Sequence, residues 1–204
     1  MSSITLVNEV KSGEVIRIAI YKKPVADPVI GAIAWKVIPL PSFGDQAEID
    51  LSNAFELYAN VPDQGDALPN PASGTKTEKF SLTKKTACFV AQSSEIEPQS
   101  IVLNQRFTRL SRNKVCFEND APRCVWMHIV KDGEDIYCPQ FVWPGAKVTV
   151  DLRSPFYLAV VTDSMCNGSR LVEEETSTTE IPIKEGQVVT VTGSWRTGYT
   201  IHLS

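Results

Sequence analysis

Apolar residues return at every second position in short runs along this chain. Ile16, Ile18 and Ile20 alternate with Arg17, Ala19 and Tyr21; Ile49 and Leu51 sit between polar neighbours; Phe55, Leu57 and Ala59 follow. The pattern recurs at Val148, Val150 and Leu152, at Phe156, Leu158 and Val160, and at Val189 and Val191, with a last strand over Tyr199–Leu203. Successive side chains of a strand point to opposite faces, so this period predicts strands with one buried face and one wetted face. Val, Ile, Thr and aromatic residues dominate the runs, as strands prefer. No long segment carries a 3.6-residue period, and 13 prolines with 11 glycines cut the chain into short pieces.

The halves of the chain repeat one another. At an offset of 101, Gly44 meets Gly145, Asp50 meets Asp151, Leu51 meets Leu152, Phe55 meets Phe156 and Leu57 meets Leu158. The same offset brings Phe80 to Ile181, Leu82 to Ile183 and Val90 to Val191. Upstream the offset becomes 109, pairing Ile16, Ile18 and Ile20 with Val125, Met127 and Ile129, and Lys22 with Lys131. The change of offset places about eight extra residues in the proline-bearing stretch from Lys23 to Val29, where a surface loop tolerates insertion. Units of about 100 residues with some seven short strands predict an all-β fold of two tandem antiparallel Greek-key sandwiches, immunoglobulin-like in the broad sense. The expected domains are 1–104 and 113–204, joined by a junction at 105–112. The Cys–Trp–Cys spacing of antibody domains is absent from the first half.

Composition narrows the function classes. The 204 residues are 43% hydrophobic and 22% charged, which is ordinary globular usage. A formal charge of −4 argues against a non-specific nucleic-acid binder. No apolar run is long enough for a membrane-spanning helix, and the start, Met1-Ser2-Ser3-Ile4-Thr5, lacks the pattern of a signal peptide. The five cysteines, Cys88, Cys116, Cys124, Cys138 and Cys166, are odd in number and form no CxxC pair. Free thiols and a cytoplasmic location are therefore expected. Asn167-Gly168-Ser169 would act as a glycosylation sequon only in a secretory compartment.

Candidate chemistry is sparse. With Val125, Met127 and Ile129 facing the core, Cys124, Trp126 and His128 point outward, where a Trp and a His invite either a covering loop or a ligand. Cys124 and His128 lie roughly 13 Å apart along one strand, too far to share a zinc ion whose ligands stand within about 2.3 Å. A site joining His128 to Cys116 and Cys138 across strands is the remaining metal geometry; at the upstream offset Cys116 aligns with the apolar Val7, which reads as a buried small hydrophobe. No metal and no cofactor are expected. His202 reads as a solvated strand residue. A Cys–His dyad of Cys124, Cys138 or Cys166 with either histidine has no local signature, and no GxSxG, HExxH or phosphate-cradling loop occurs. Glu173-Glu174-Glu175 and Glu134-Asp135 read as exposed loop charge, and Asp132, Glu134 and Asp135 lack the EF-hand pattern. Arg106, Arg109, Arg112 and Lys114 could clamp a domain or an anion, or form a solvated linker. The loops 62–77 and 163–179 follow equivalent Phe-x-Leu strands and suit binding.

These readings favour a non-catalytic binding or structural interaction protein, its ligand a small molecule, a glycan or a protein. Trp126, His128, Arg106 and Trp195 are the expected ligand-binding residues. The alternative is a small cofactor-independent enzyme whose site, built from the same residues, lies in the cleft between domains. Self-association through edge strands into a homo-oligomer is the third class.

Overall fold

The alternating runs form strands. The computed structural model describes residues 3–23, 32–52, 54–63, 70–82, 87–97, 100–107, 114–171 and 181–204, the side chains of Ala87, Phe107 and Ile181 excepted. Among the described residues there is no helix. The strands in chain order are β1 Ser3–Asn8, β2 Ile16–Lys22, β3 Ala34–Leu40, β4 Gln46–Asp50, β5 Phe55–Val61, β6 Thr75–Lys76, β7 Phe80–Leu82, β8 Ala87–Ser93 and β9 Ile101–Phe107. They continue as β10 Lys114–Asn119, β11 Val125–Lys131, β12 Glu134–Asp135, β13 Gln140–Val142, β14 Lys147–Asp151, β15 Phe156–Val161, β16 Ile181–Ile183, β17 Val188–Ser194 and β18 Gly198–Leu203. The Lys23–Val29 insertion falls almost wholly outside the described residues, as do Arg109, Arg112 and Glu173–Glu175.

Among the described residues four sheets result, gathered into two compact units. One unit contains β1–β4 and β15–β18, in the sheets β18-β17-β1-β4 and β16-β15-β2-β3. The other contains β5–β14, in the sheets β14-β10-β8-β9 and β12-β11-β5-β6, with β13 also on β11 and β7 also on β5. These units cut across the predicted halves 1–104 and 113–204: the first draws strands from both ends of the chain. A period of two says which face of a strand is buried but not which strand lies beside it, so the partners of β1 and β2 were not legible. The ladders are also not all antiparallel. β1 runs parallel to β17 (Thr5 opposite Val188) and β8 parallel to β10 (Cys88 opposite Cys116). Parallel neighbours need a crossover rather than a hairpin.

Strand positions nevertheless recur at the sequence offsets. β2 returns as β11 at 109; β4, β7 and β8 return as β14, β16 and β17 at 101. The order β18-β17-β1-β4 matches β9-β8-β10-β14, and β16-β15-β2-β3 matches β7-β5-β11-β13, with β6 and β12 as additions in the second unit. Local hydrogen bonding corresponds too. Fully buried Asn8 donates from Nδ2 to the Leu40 carbonyl at 2.9 Å and accepts from the Val10 N–H at 2.8 Å. Fully buried Asn119 donates to the Val142 and Arg123 carbonyls at 2.9 and 2.8 Å and accepts from the Ala121 N–H at 3.1 Å. Next to each, a glycine at positive φ turns the chain: Gly44 (85°) and Gly145 (75°) each donate their N–H, to Asn8 O and Asn119 O respectively, at 2.6 Å.

The expectation of a wetted face fails for the central strands. Ile16, Ile18 and Ile20 of β2 are buried on one face, but so are Ala19 and Tyr21 on the other. There Ala19, Tyr21, Ala34, Ala159 and Val161 form a second small core, covered by Met165 and Leu171. Alternation in hydropathy was real, yet a loop returning over the sheet buries the second face as well.

Candidate functional site

The corresponding face of the other unit is built differently. β5 and β11 are antiparallel neighbours, with Asn60 opposite Trp126, Tyr58 opposite His128 and Glu56 opposite Val130. β13 adds Phe141 opposite Trp126, and β12 adds Asp135 opposite Val130. Because side chains alternate, Trp126, His128, Tyr58, Asn60 and Phe141 share one face. At the matching places the first unit carries Arg17, Ala19, Ala159, Val161 and Pro39.

Trp126 and His128 were expected to face outward, and they do leave the Val125–Ile129 core. His128 is nevertheless only 2% exposed, and Trp126 is half-buried. The His128 ring stacks on Tyr58, with centroids 4.5 Å apart and planes 6° from parallel. Its Nδ1 lies 2.9 Å from Asp135 Oδ1. A carboxylate only accepts, so Nδ1 carries the proton and, in the neutral ring, Nε2 is left as an acceptor. Burial, with the Asp135 charge behind it, pushes the Tyr58 phenol up to about 12, so it stays protonated at neutral pH. Lys76 and Lys79 place their ammonium groups 5.5 and 5.9 Å from the Tyr58 ring centroid, and Lys79 pairs with Glu56 at 3.4 Å.

Asn60, fully buried, clasps the segment that follows β5: its Nδ2 donates to the Pro71 carbonyl at 2.8 Å and to the Ser73 carbonyl. This orientation makes Oδ1 an acceptor. Three buried polar atoms of the face then have no hydrogen-bond partner among the described residues: Asn60 Oδ1, His128 Nε2 and Trp126 Nε1. Each such group costs about 1–3 kcal/mol when left unsatisfied, and native interiors contain few. From Trp126 an aromatic ladder runs outward. Trp126 and Phe141 have centroids 4.9 Å apart, Phe141 and Trp143 are 5.3 Å apart and edge-on, and Trp143 is 64% exposed.

The structure does not bring the other expected residues here. Arg106 lies on β9 in the opposite sheet of this unit, exposed, 4.0 Å from Glu118. Trp195 belongs to the other unit, exposed on the β17–β18 hairpin beneath Arg196. Its backbone N–H and the Tyr199 hydroxyl both donate to Glu14. Burial raises the Glu14 carboxyl, but these bonds outweigh it and hold the group below the usual range.

Cys88 and Cys116 form a disulfide between facing residues of β8 and β10, with Cα atoms 4.3 Å apart, correcting the expectation of free thiols there; Cys124, Cys138 and Cys166 are not disulfide-bonded. Burial raises the Cys124 thiol. Among the described residues no group of three or more His, Cys, Asp or Glu side chains is arranged to hold a metal, and no helix is long and apolar enough to cross a membrane. The sequon's Asn167 is engaged, its side-chain oxygen accepting from the Val37 N–H at 2.8 Å. Of the two loops proposed for binding, 70–77 touches the site through Asn60; residues 64–69 and 172–179 lie outside the described residues.

No family model, curated protein or solved structure matches the chain. Tyr58, Asn60, Asp135 and Phe141 were missed as partners of Trp126 and His128. The signal was present for two of them: the offset of 101 sets Tyr58 and Asn60 against Ala159 and Val161.

Proposed function

We propose that the protein is a non-catalytic binding module whose ligand sits on the Trp126–His128 face of β11. One observation carries this reading: Asn60 Oδ1, His128 Nε2 and Trp126 Nε1 are buried and without partners among the described residues, where the twin face carries Val161, Ala19 and Arg17. At two of these three places the twin face is filled by small apolar residues, so the buried polar atoms of Asn60 and His128 need a second reason. The corresponding sheet orders support the finer architectural reading of an internally repeated, immunoglobulin-like pair of sandwiches, with strands exchanged between halves. The Cys88–Cys116 bond weighs against a cytoplasmic location, since such bonds persist mainly in oxidising compartments.

A thermal-shift screen against soluble metabolites and glycans tests the binding reading. A ligand should raise the melting temperature of the wild type as its concentration rises. It should do so far less in a folded His128→Ala or Trp143→Ala variant. Silence with every class, together with turnover of some metabolite, overturns it.

The second reading, a small cofactor-independent enzyme, is favoured by the His128–Asp135 pair, which leaves Nε2 poised as a general base. Among the described residues no nucleophilic side chain is hydrogen-bonded to that nitrogen. Loss of turnover in a folded His128→Ala variant would support this alternative.

A further inference from the structure

We propose that the free edge of β18 is a homodimer interface: two copies of this chain pair antiparallel about a two-fold axis at Ile201, joining their β18-β17-β1-β4 sheets. Among the described residues β18 is paired with β17 alone and closes one side of its sheet. Val188 and Ser204 exchange N–H···O bonds at 2.9 and 3.0 Å. An antiparallel ladder alternates, so His202, Thr200 and Gly198 also turn their backbone groups to β17, while Tyr199, Ile201 and Leu203 turn theirs outward. The side chains of these three share the face of fully buried Val189 and Val191, yet they stay only half-buried. On β9, the matching edge of the other unit, Ile101 and Leu103 are buried. A row of open N–H and C=O groups with an apolar margin is a template for another strand.

The other edges carry devices that block such pairing. β4 holds Glu48 and Asp50, β14 holds Lys147 and Asp151, β9 holds Arg106, and three-residue β16 holds Pro182. β3 holds Pro39 and is overlaid by the chain at 167–171, which bonds Ala32, Ala34 and Val37. β6, β7, β12 and β13 are two or three residues long. β18, Gly198-Tyr199-Thr200-Ile201-His202-Leu203, has six residues, no proline and no acidic, lysine or arginine side chain. A second copy of this edge completes it. About the axis Ile201 meets the partner's Ile201, and Tyr199 meets the partner's Leu203, so each outward N–H finds an outward C=O and an aromatic side chain lies against an aliphatic one at both ends. Thr200 falls opposite the partner's His202, and no like charges meet. The two-fold axis closes the pair, leaving no further β18 edge to extend.

Sedimentation equilibrium of the full chain from about 0.02 to about 1 mM tests this. A single paired edge covers less than the about 1,600 Å² of a standard interface, so the wild type should dimerise with a Kd of about 0.1 mM and grow no further. Thr200 and His202 are exposed and would sit in the close, non-hydrogen-bonded pairs of the new ladder, so charges placed there act across the axis. The double variants Thr200→Lys with His202→Lys, and Thr200→Glu with His202→Glu, should each dimerise about tenfold more weakly alone, and an equimolar mixture of the two should associate at least as well as the wild type. Ile201→Pro removes an outward N–H, takes nothing from the β17 ladder, and should abolish pairing. A monomer at every concentration overturns the proposal. A dimer that all three variants retain overturns the location, a mixture that fails to associate overturns the antiparallel register, and assembly beyond the dimer overturns the closed pair.

Discussion

Replacing Asn119 with leucine should destabilise its unit more than replacing Asn8 with leucine destabilises the other. The comparison matters because the case for the Trp126 face assumes that the two units are built alike. Leucine has the branching and heavy-atom number of asparagine but can neither donate nor accept. At position 8 it orphans two backbone groups, the Leu40 carbonyl and the Val10 N–H. At position 119 it orphans three, the Val142 and Arg123 carbonyls and the Ala121 N–H. At about 1–3 kcal/mol per orphaned group, the losses are about 2–6 and about 3–9 kcal/mol. The apolar gain from leucine is common to both and cancels in the difference. The third group, the Arg123 carbonyl, is only partly buried, so the difference should sit near the low end, about 1 kcal/mol.

With a urea m-value of about 2 kcal/mol/M, this difference is about 0.5 M in the midpoint. The two units can unfold separately, so a single global signal is not enough. Fluorine resonances of 5-fluorotryptophan-labelled protein separate them: Trp35 and Trp195 report the first unit, Trp126 and Trp143 the second. A larger loss for Asn8→Leu, or losses below about 0.5 kcal/mol for both, would refute the claim that these asparagines pin equivalent turns.

Three other outcomes are expected. Gly74 sits at φ 97° and an added Cβ would collide with the Val61 carbonyl oxygen, so Gly74→Ala should cost at least about 1 kcal/mol and loosen the segment held by Asn60, seen as faster amide exchange at Thr77. The Cys88–Cys116 bond closes a loop with a separation of 28 residues; the chain-entropy relation assigns it about 3.5 kcal/mol, so reductant or the double Ser variant should lower the urea midpoint of the β5–β14 unit and leave the other unit's midpoint in place. Tyr137, buried and bonded to Ser154, has its phenol pushed up to about 12, chiefly by burial. A raised folded-state value stabilises the protein fully below the unfolded phenol pKa of about 10, and that stability is lost as pH rises from there through about 12; Tyr137→Phe should flatten this alkaline arm in pH-dependent melting.

Much of the strand pattern was legible in the sequence, and the reason is local. Alternation at Ile16–Ile20 or Phe156–Val160 depends only on side-chain direction, and the glycines at 44 and 145 mark turns that need positive φ. Partner choice was not legible, because pairing β1 with β17 in parallel is decided by packing across nearly the whole chain. The candidate site was half legible. Trp126 and His128 stood out as costly residues for an outer face, but Asp135 read as loop charge until the β11–β12 pairing brought it against His128. Trp195 and Arg106 drew notice through residue type alone, and nothing in their surroundings joins them to the site. The disulfide was hidden for a similar reason: Cys88 and Cys116 lie far apart in sequence and meet only through the β8–β10 register.

The most direct measurement is a titration followed on the four indole N–H resonances of 15N-labelled protein. Addition of a ligand found by the thermal-shift screen should move the Trp126 and Trp143 signals, while Trp35 and Trp195 stay in place. Movement confined to Trp195 or Trp35, or an unperturbed Trp126 at saturating ligand, would contradict the account.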